Sequence, residues 1–480
     1  MLTAGCKSGI YPPPESGSKR PNDQRPLLLR KIAHLARSIG AAAHAPTDRQ
    51  REHTESRSVC RPHNACARCS YLRDKITATH LPRLQCMKPE IPVVVVGGNL
   101  NALGVVRSLA RSRIPTYVMN TTRNCPAPWS RHATYVRAKS LQGESLIEAL
   151  LALAEKLRCR PVLLLTQDAS VHIVSAQRQR LEHCYHVEMP TLDVVEVLSD
   201  KLAFDVLAAH EGFSVPRSCA LRTLEDMQRL EALAPPVILK PADKGRVIAG
   251  VADRAVRAET LEQARVLAKA MLVHVSAVIV QEWIEGPDSE IFFTFFCVRS
   301  DGTPAAFFSG RKLQSTPPGI GSTAICIPAP EYAAQLEGEA RRFLNCVRYR
   351  GLGSLEFKRD VRTGRFLMVE PTVGRTDWQE EIAALGGVNL PVIAYWVALG
   401  IDPLTSHPAT MRRNPAWRAD FQFNLPCEFQ ENIQVVDAHF RWSDPLPGVY
   451  YYLHERGVRR IWRRILRHQQ MKLKPNQGPL

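Results

Sequence analysis

The sequence predicts a parallel α/β sheet followed by α+β layers, and three observations carry that expectation. The stretch 91–120, IPVVVVGGNLNALGVVRSLARSRIPTYVMN, reads as a buried strand, a Gly-rich turn, an amphipathic helix and a second strand. That order opens a parallel sheet. Further on, Val278–Glu285 breaks at Gly286-Pro287 and restarts as the β-prone run Ile291–Phe296, the usual crossing between adjacent strands. The third observation is GSLEFKRDVRTGRFLMVEPTVG, residues 353–374, which reads as two short strands around a tight turn.

The chain has 480 residues and a formal net charge of +17, enough for about two to four domains with a substantial core. Residues 1–86 hold fifteen Lys/Arg against six Asp/Glu, and no acid follows Glu455. The charge is therefore concentrated at the ends and is not a nucleic-acid footprint over the whole protein. Thirteen cysteines, no secretory h-region and no apolar run of membrane-spanning length point to reduced thiols in a cytoplasmic protein. Cys60, Cys66 and Cys69, with His63 or His80 nearby, match no standard zinc spacing.

Residues 1–86, with Pro12-Pro13-Pro14 and Ser/Arg clusters, have the composition of a disordered segment. They are either a targeting or interaction arm or translated sequence upstream of the true start. Met87, immediately before the first convincing strand, favours the second. Gly97-Gly98-x5-Gly104 departs from the dinucleotide spacing, and strand 116–120 ends without the acid that would hold a ribose. A tight turn packing helix on strand is the better reading. Pro161–Leu165 is a further buried strand, with Thr166-Gln167-Asp168 at its carboxyl end. Asp168 either faces a ligand or caps the next helix.

A helix is expected from Ser199, its N-cap, with Asp200 in the first turn and Leu202, Val206 and Leu207 as the apolar stripe. Lys201 at that helix start opposes the dipole, a conflict that either a bound phosphate or solvent relieves. Val237–Lys240 is a strand ending in lysine beside a Gly-containing loop, and Val247–Val251 resumes as a strand.

In the hairpin, Arg362-Thr363-Gly364 fits a three-residue loop. Without a further bulge, Glu356 faces Glu370, Ser354 faces Thr372 and Lys358 faces Met368. Leu355, Phe357, Leu367 and Val369 then turn to the core. Opposed carboxylates repel each other. A divalent cation or one raised pKa resolves the conflict, and a solvated charged face is the plain alternative.

In this order, the helix-start lysine, strand-end Lys-Pro, QEWIEGPDSE strand and E…E-x-T hairpin resemble the ATP-grasp superfamily of carboxylate–amine ligases, in its D-aspartate-ligase-like and carbamoyl-phosphate-synthase-like branch. The resemblance implies an ATP-grasp domain of two α+β subdomains over 192–402, preceded by a parallel α/β domain over 87–191. It implies ATP and Mg2+ as cofactors, with Mn2+ as substitute metal. Lys201 and Lys240 match the nucleotide-phosphate lysines. Gln281, Glu282 and Ile284 match the adenine hinge, and Glu290 the ribose-binding acid. Glu356 and Glu370 match the magnesium carboxylates; Thr372 stands where the family usually has asparagine. Arg311 and Arg375 match cations beside the transferred phosphoryl group or the substrate carboxylate. Asp377, Gln379 and Glu380 line the helix start beyond, either to meet the amine or as ordinary first-turn acids.

The implied activity joins a carboxylate, activated as acyl-phosphate, to an amine through an amide or peptide-like bond, on either a small acid or a glycan precursor. An ATP-grasp carboxylase or carboxyl kinase, and a nucleotide-binding module with impaired catalysis, are the alternatives. Homodimerisation stays open. Residues 403–480 form a C-terminal extension. Its stretch 456–474 carries arginines around an apolar stripe with Trp462 and reads either as a peripheral contact with an anionic membrane or as a helix docked on the protein's own core.

Overall fold

Four consecutive valines open the described chain, and all four are fully buried. The computed structural model describes residues 91–242, 255–403, 414–429 and 432–458. Strands β1 (Val93–Val96), β2 (Thr116–Asn120), β3 (Thr134–Arg137) and β4 (Val162–Leu165) form a parallel sheet of order β3-β2-β1-β4. Because side chains alternate along a strand, Val94 and Val96 enter one core with Leu146, Ile147 and Leu150 of α2 (Gly143–Leu157). Val93 and Val95 enter another with Leu103 and Val106 of α1 (Leu100–Ala110). A strand buried on both faces is what an uninterrupted apolar run encodes. The turn between β1 and α1 requires glycine. Gly97 has φ 121°, and a Cβ there would lie 2.2 Å from Thr166 Oγ1.

Helices α3 (Asp168–Ala176), α4 (Leu192–Ser199) and α5 (Lys201–His210) follow. Ser199 ends α4, and Asp200 is the N-cap of α5 in its place, its carboxylate accepting from Leu202 N at 2.9 Å and Ala203 N at 3.0 Å. The buried face of α5 is Ala203, Phe204, Leu207 and Ala208, while Val206 is exposed. The expected stripe went astray because small alanines, not the larger Val206, fill the tight side of the helix.

A second sheet, antiparallel and ordered β5-β8-β6-β7, contains β5 (Ser218–Leu221), β6 (Val237–Pro241), β7 (Val256–Ala258) and β8 (Val278–Glu282), with α6 (Leu261–Leu272) packed on it. The strand expected at 247–251 lies outside the described residues. So do the expectations for residues 1–86, the Cys60–Cys69 cluster, and the basic stretch from 459 onward.

The third sheet has seven strands in the order β13-β12-β9-β10-β11-β14-β15, antiparallel except for the parallel pair β14–β15. Its members are β9 (Ile291–Val298), β10 (Pro304–Thr316), β11 (Ser322–Pro328), β12 (Gly351–Arg359), β13 (Phe366–Val373), β14 (Pro415–Arg418) and β15 (Gln434–Asp437). Phe292 and Phe296 face one core and Phe293 and Phe295 the other, so β9 joins this sheet to both sides of the molecule. The segment 417–452, which reads as irregular in sequence, supplies part of β14, all of β15 and α7 (Leu446–Tyr450), and buries Trp417.

The β12–β13 hairpin corrects the expected register at its tip. Asp360 N donates to Arg365 O, and Gly364 N to Asp360 O, enclosing Val361–Gly364. That loop is one residue longer than expected. Phe357 therefore pairs with Met368 and Lys358 with Leu367, until a bulge after Glu356 restores the pairs Glu356–Glu370 and Ser354–Thr372. The bulge also exchanges faces: Met368 is buried, whereas Leu367 and Val369 are half-buried.

Among the described residues, no helix is long and apolar enough to cross a membrane.

Candidate active site

The three sheets converge on one cluster of opposite charges. Lys201 stands at the start of α5, Lys240 near the end of β6 and Gln281 near the end of β8. Glu356 and Glu370 are cross-strand partners in the hairpin. Lys201 Nζ lies 3.8 Å from Glu370 Oε1, and Lys240 Nζ donates to Gln281 Oε1 at 3.1 Å. Burial, and then Lys201, lower the Lys240 ammonium; Glu370, Asp205 and Glu356 pull it back up.

Lys312 on β10 completes the cluster, and sequence reading missed it. Its Nζ lies 2.6 Å from Glu356 Oε2. Burial opposes its charge, but Glu356, backed by Asp377 and Glu370, holds the ammonium above its ordinary value. Register explains the placement. Glu356 and Gly310 both pair with Phe293, so Lys312, two residues beyond Gly310, shares their face.

Arg311 turns the other way. Its Nε donates to Ser289 O at 2.5 Å, and its guanidinium lies 3.6 Å from Glu290 and over the Phe292 ring. Glu290 is buried and held by Arg359 at 2.6 and 3.2 Å. Arg311 and Glu290 thus form a cluster of their own beside the Glu356 face. Glu282 accepts from Ala234 N at 2.8 Å, turned away from its neighbour Gln281, and the Ile284 side chain is buried.

Thr372 sits two residues beyond Glu370, opposite Ser354, whose hydroxyl donates to Asp377 at 3.3 Å. Arg375 follows with a two-pronged bond to Asp168, at 2.6 and 3.2 Å. Burial disfavours its charge, yet the Asp168 carboxylate outweighs that and keeps the guanidinium firmly protonated. Asp168, the first residue of α3, therefore brings the carboxyl end of the parallel sheet to the hairpin. Asn101 seals the same junction, donating to Thr166 O and Thr376 O.

Of the acids expected to meet an amine, Asp377 faces this cluster. Glu380 does not. It is 1% exposed and lies against Gly104 and Ser108 of α1. Burial and then Glu381 push its carboxyl up to about 8. Its folded pKa lies above the unfolded value, so its contribution to stability is full below the ordinary carboxyl range and is lost as pH rises through 8. Glu380→Gln should gain stability over wild type progressively from about pH 5 to about pH 8, reaching a few kcal/mol, and level off above that. A constant difference across that range would refute the assignment.

The donor set fits a magnesium ion carried by a nucleotide. Two hard carboxylates lie in register, with the hydroxyls of Ser354 and Thr372 two residues further along the same face. Among the described residues, no group of three or more His, Cys, Asp or Glu could hold a metal by itself. Magnesium in phosphate sites takes one or two carboxylates and completes its shell with phosphate oxygens and water.

No family model matches the chain. It is 16% identical to biotin carboxylase from Campylobacter jejuni, solved as a β,γ-ATP complex, with a TM-score of 0.52 over 68% of this chain and 74% of that one. The chain has the ATP-grasp fold. Two sequence relatives are similar to the chain. Mouse carnosine synthase 1 is 30% identical over 168 residues, 34% of this chain and 19% of that protein. D-aspartate ligase of Enterococcus faecium is 24% identical over 323 residues, 62% of this chain and 74% of that enzyme. The chain thus spans about a fifth of the carnosine synthase it matches.

Proposed function

We propose that the chain is an ATP-dependent carboxylate–amine ligase. The observation that carries this reading is the convergence of Lys201, Lys240 and Lys312 on the paired carboxylates Glu356 and Glu370, continued by Arg375 and Asp168. When bound, the Mg-nucleotide supplies a phosphoryl group that turns a poor acyl electrophile, a carboxylate, into an acyl-phosphate. Glu356 and Glu370 would hold the metal. Lys201 and Lys240 would neutralise phosphate oxygens, and Lys312, 2.6 Å from Glu356, keeps that carboxylate aimed. Charge neutralisation and positioning are most of what phosphoryl transfer asks of a protein. The planar fork of Arg375 suits the carboxylate or its acyl-phosphate, and Asp168 and Asp377 beside it suit the ammonium of an incoming amine. Both substrates then sit at the junction of the parallel sheet and the hairpin. The names of the two relatives favour amino acids on one or both sides of the new bond.

An ADP-release screen over small acids and amines, D-aspartate included, tests the reading. ADP release is expected only when a carboxylate and an amine are both present. Release with a carboxylate alone would identify a carboxyl kinase instead. ATP binding without turnover on any pair would identify a binding module, and Thr372 in place of asparagine would then be the first position to restore.

A further inference from the structure

We propose that Asp205 is a positioning residue of the nucleotide site: through one carboxylate oxygen it fixes the Gln281 amide, so that the carbonyl oxygen of Gln281, rather than its amino group, faces Lys240 and the ligand. This inference rests on the ATP reading above.

Asp205 lies on α5 one turn after Lys201 and is 6% exposed. Its Oδ2 accepts from Ser218 Oγ at 2.7 Å and from Gln281 Nε2 at 3.3 Å. Gln281, 5% exposed, accepts in turn from Lys240 Nζ at 3.1 Å. Strand register puts these groups together, since Ser218 of β5 is the direct partner of Gln281 on β8. The four side chains form one chain, Ser218–Asp205–Gln281–Lys240, that leads from the back of the second sheet to the phosphate lysines.

The chemistry of the two ends leaves the amide a single satisfied orientation. An ionised carboxylate only accepts and an ammonium only donates. Turned over, Gln281 would set N–H against N–H at Lys240 and oxygen against oxygen at Asp205, in a buried place where water cannot relieve either contact. Burial moves the Asp205 carboxyl up to about 6, with Ser218, Lys240 and Lys201 opposing the shift and Glu370 adding to it, so the group is ionised at neutral pH. A carbonyl oxygen has two lone pairs. With one on Lys240, the other offers an acceptor to a base edge that carries an amino group. A 6-amino purine donates there, whereas a 6-oxo purine presents a competing acceptor. Asp205 therefore governs both the place of Lys240 and the preference for ATP over GTP without touching the nucleotide.

The test is equilibrium binding of MgATP and MgGTP to the full-length protein and its variants, with melting temperatures measured alongside. Wild type should bind ATP more tightly than GTP. Asp205→Ala should weaken ATP binding about tenfold, the scale of one hydrogen bond to a charged group, and narrow the ATP:GTP ratio. Asp205→Asn, whose Oδ1 can accept from both Ser218 and Gln281, should keep the ratio within about threefold of wild type. In a Gln281→Leu background, Asp205→Ala should cause no further loss, because the two act as a unit. Should Asp205→Ala not fold, Ser218→Ala removes the other hydrogen bond to the same oxygen and should shift the ratio in the same direction by less.

A role confined to stability would lower the melting temperature, move both affinities equally and add to Gln281→Leu. Any of those binding results overturns the proposal, as does a wild type that binds both nucleotides equally. A wild type that binds neither nucleotide overturns the ATP reading itself, and this inference with it.

Discussion

Glu370→Ala should lower ATP turnover by at least about a hundredfold, the scale on which removing one preorganised electrostatic contact acts, and should leave the melting temperature close to wild type. The two hairpin carboxylates are not equivalent tests. Glu370 is 37% exposed, and its ion-pair partner Lys201 is 25% exposed, so water can take over from the lost carboxylate. Glu356 is paired at 2.6 Å with Lys312, which is 7% exposed. Removing Glu356 strands a buried ammonium, and the resulting destabilisation would be confounded with lost activity. The informative pair is therefore Glu370→Ala and Glu370→Gln. Both should fold, both should fail to turn over ATP, and neither should recover with excess magnesium as fully as wild type. Wild-type rates in either variant would remove the hairpin from the active site.

The legible part of this site was the part written in local pattern. The β1 run and the strand ending at Lys240 follow from uninterrupted apolar stretches, and the Glu356–Glu370 pair from period-two alternation and turn chemistry. Even so, the Glu356–Glu370 register survived only because two local departures cancel: a loop one residue longer than expected and a bulge after Glu356. Neither departure has a clear signature in the residues around Val361 or Val369. The illegible part depends on which elements meet. Arg311 and Lys312 are adjacent cations, and only the pairing of β10, β9 and β12 decides which one faces Glu356. Asp205 looks like any surface acid on an amphipathic helix until Ser218 and Gln281 are brought over it. Arg375 meets Asp168 across 207 residues of chain. That pair is tertiary, and no sequence window contains both partners.

Residues 403–480 read as a C-terminal extension, and Arg107→Ala should show how firmly its segment 438–444 is held to the parallel-sheet domain. Arg107 projects from α1, is 6% exposed, and gives every arm of its guanidinium to residues 438–444. Nε donates to Asp444 Oδ2 at 3.1 Å, Nη1 to Ala438 O at 2.6 Å, and Nη2 to His439 O at 2.8 Å and Asp444 O at 3.1 Å. Asp444, 1% exposed, also accepts from Ser130 Oγ and Arg131 N, both at 2.9 Å. Alanine at 107 would leave a buried carboxylate without its counter-charge and three carbonyls without their guanidinium donor. Breaking a buried pair in this way costs about 3–5 kcal/mol, and the melting temperature should fall by roughly ten degrees. Arg107→Lys keeps the charge but loses the fork, so it should fall between wild type and alanine. Limited proteolysis of Arg107→Ala should cut first within 414–458. The same helix carries Asn101, which holds Thr166 and Thr376 on either side of Arg375. Loss of the clamp should therefore lower turnover only in step with unfolding, and a fully active Arg107→Ala enzyme with an unshifted melting temperature would show that the network contributes no net stability.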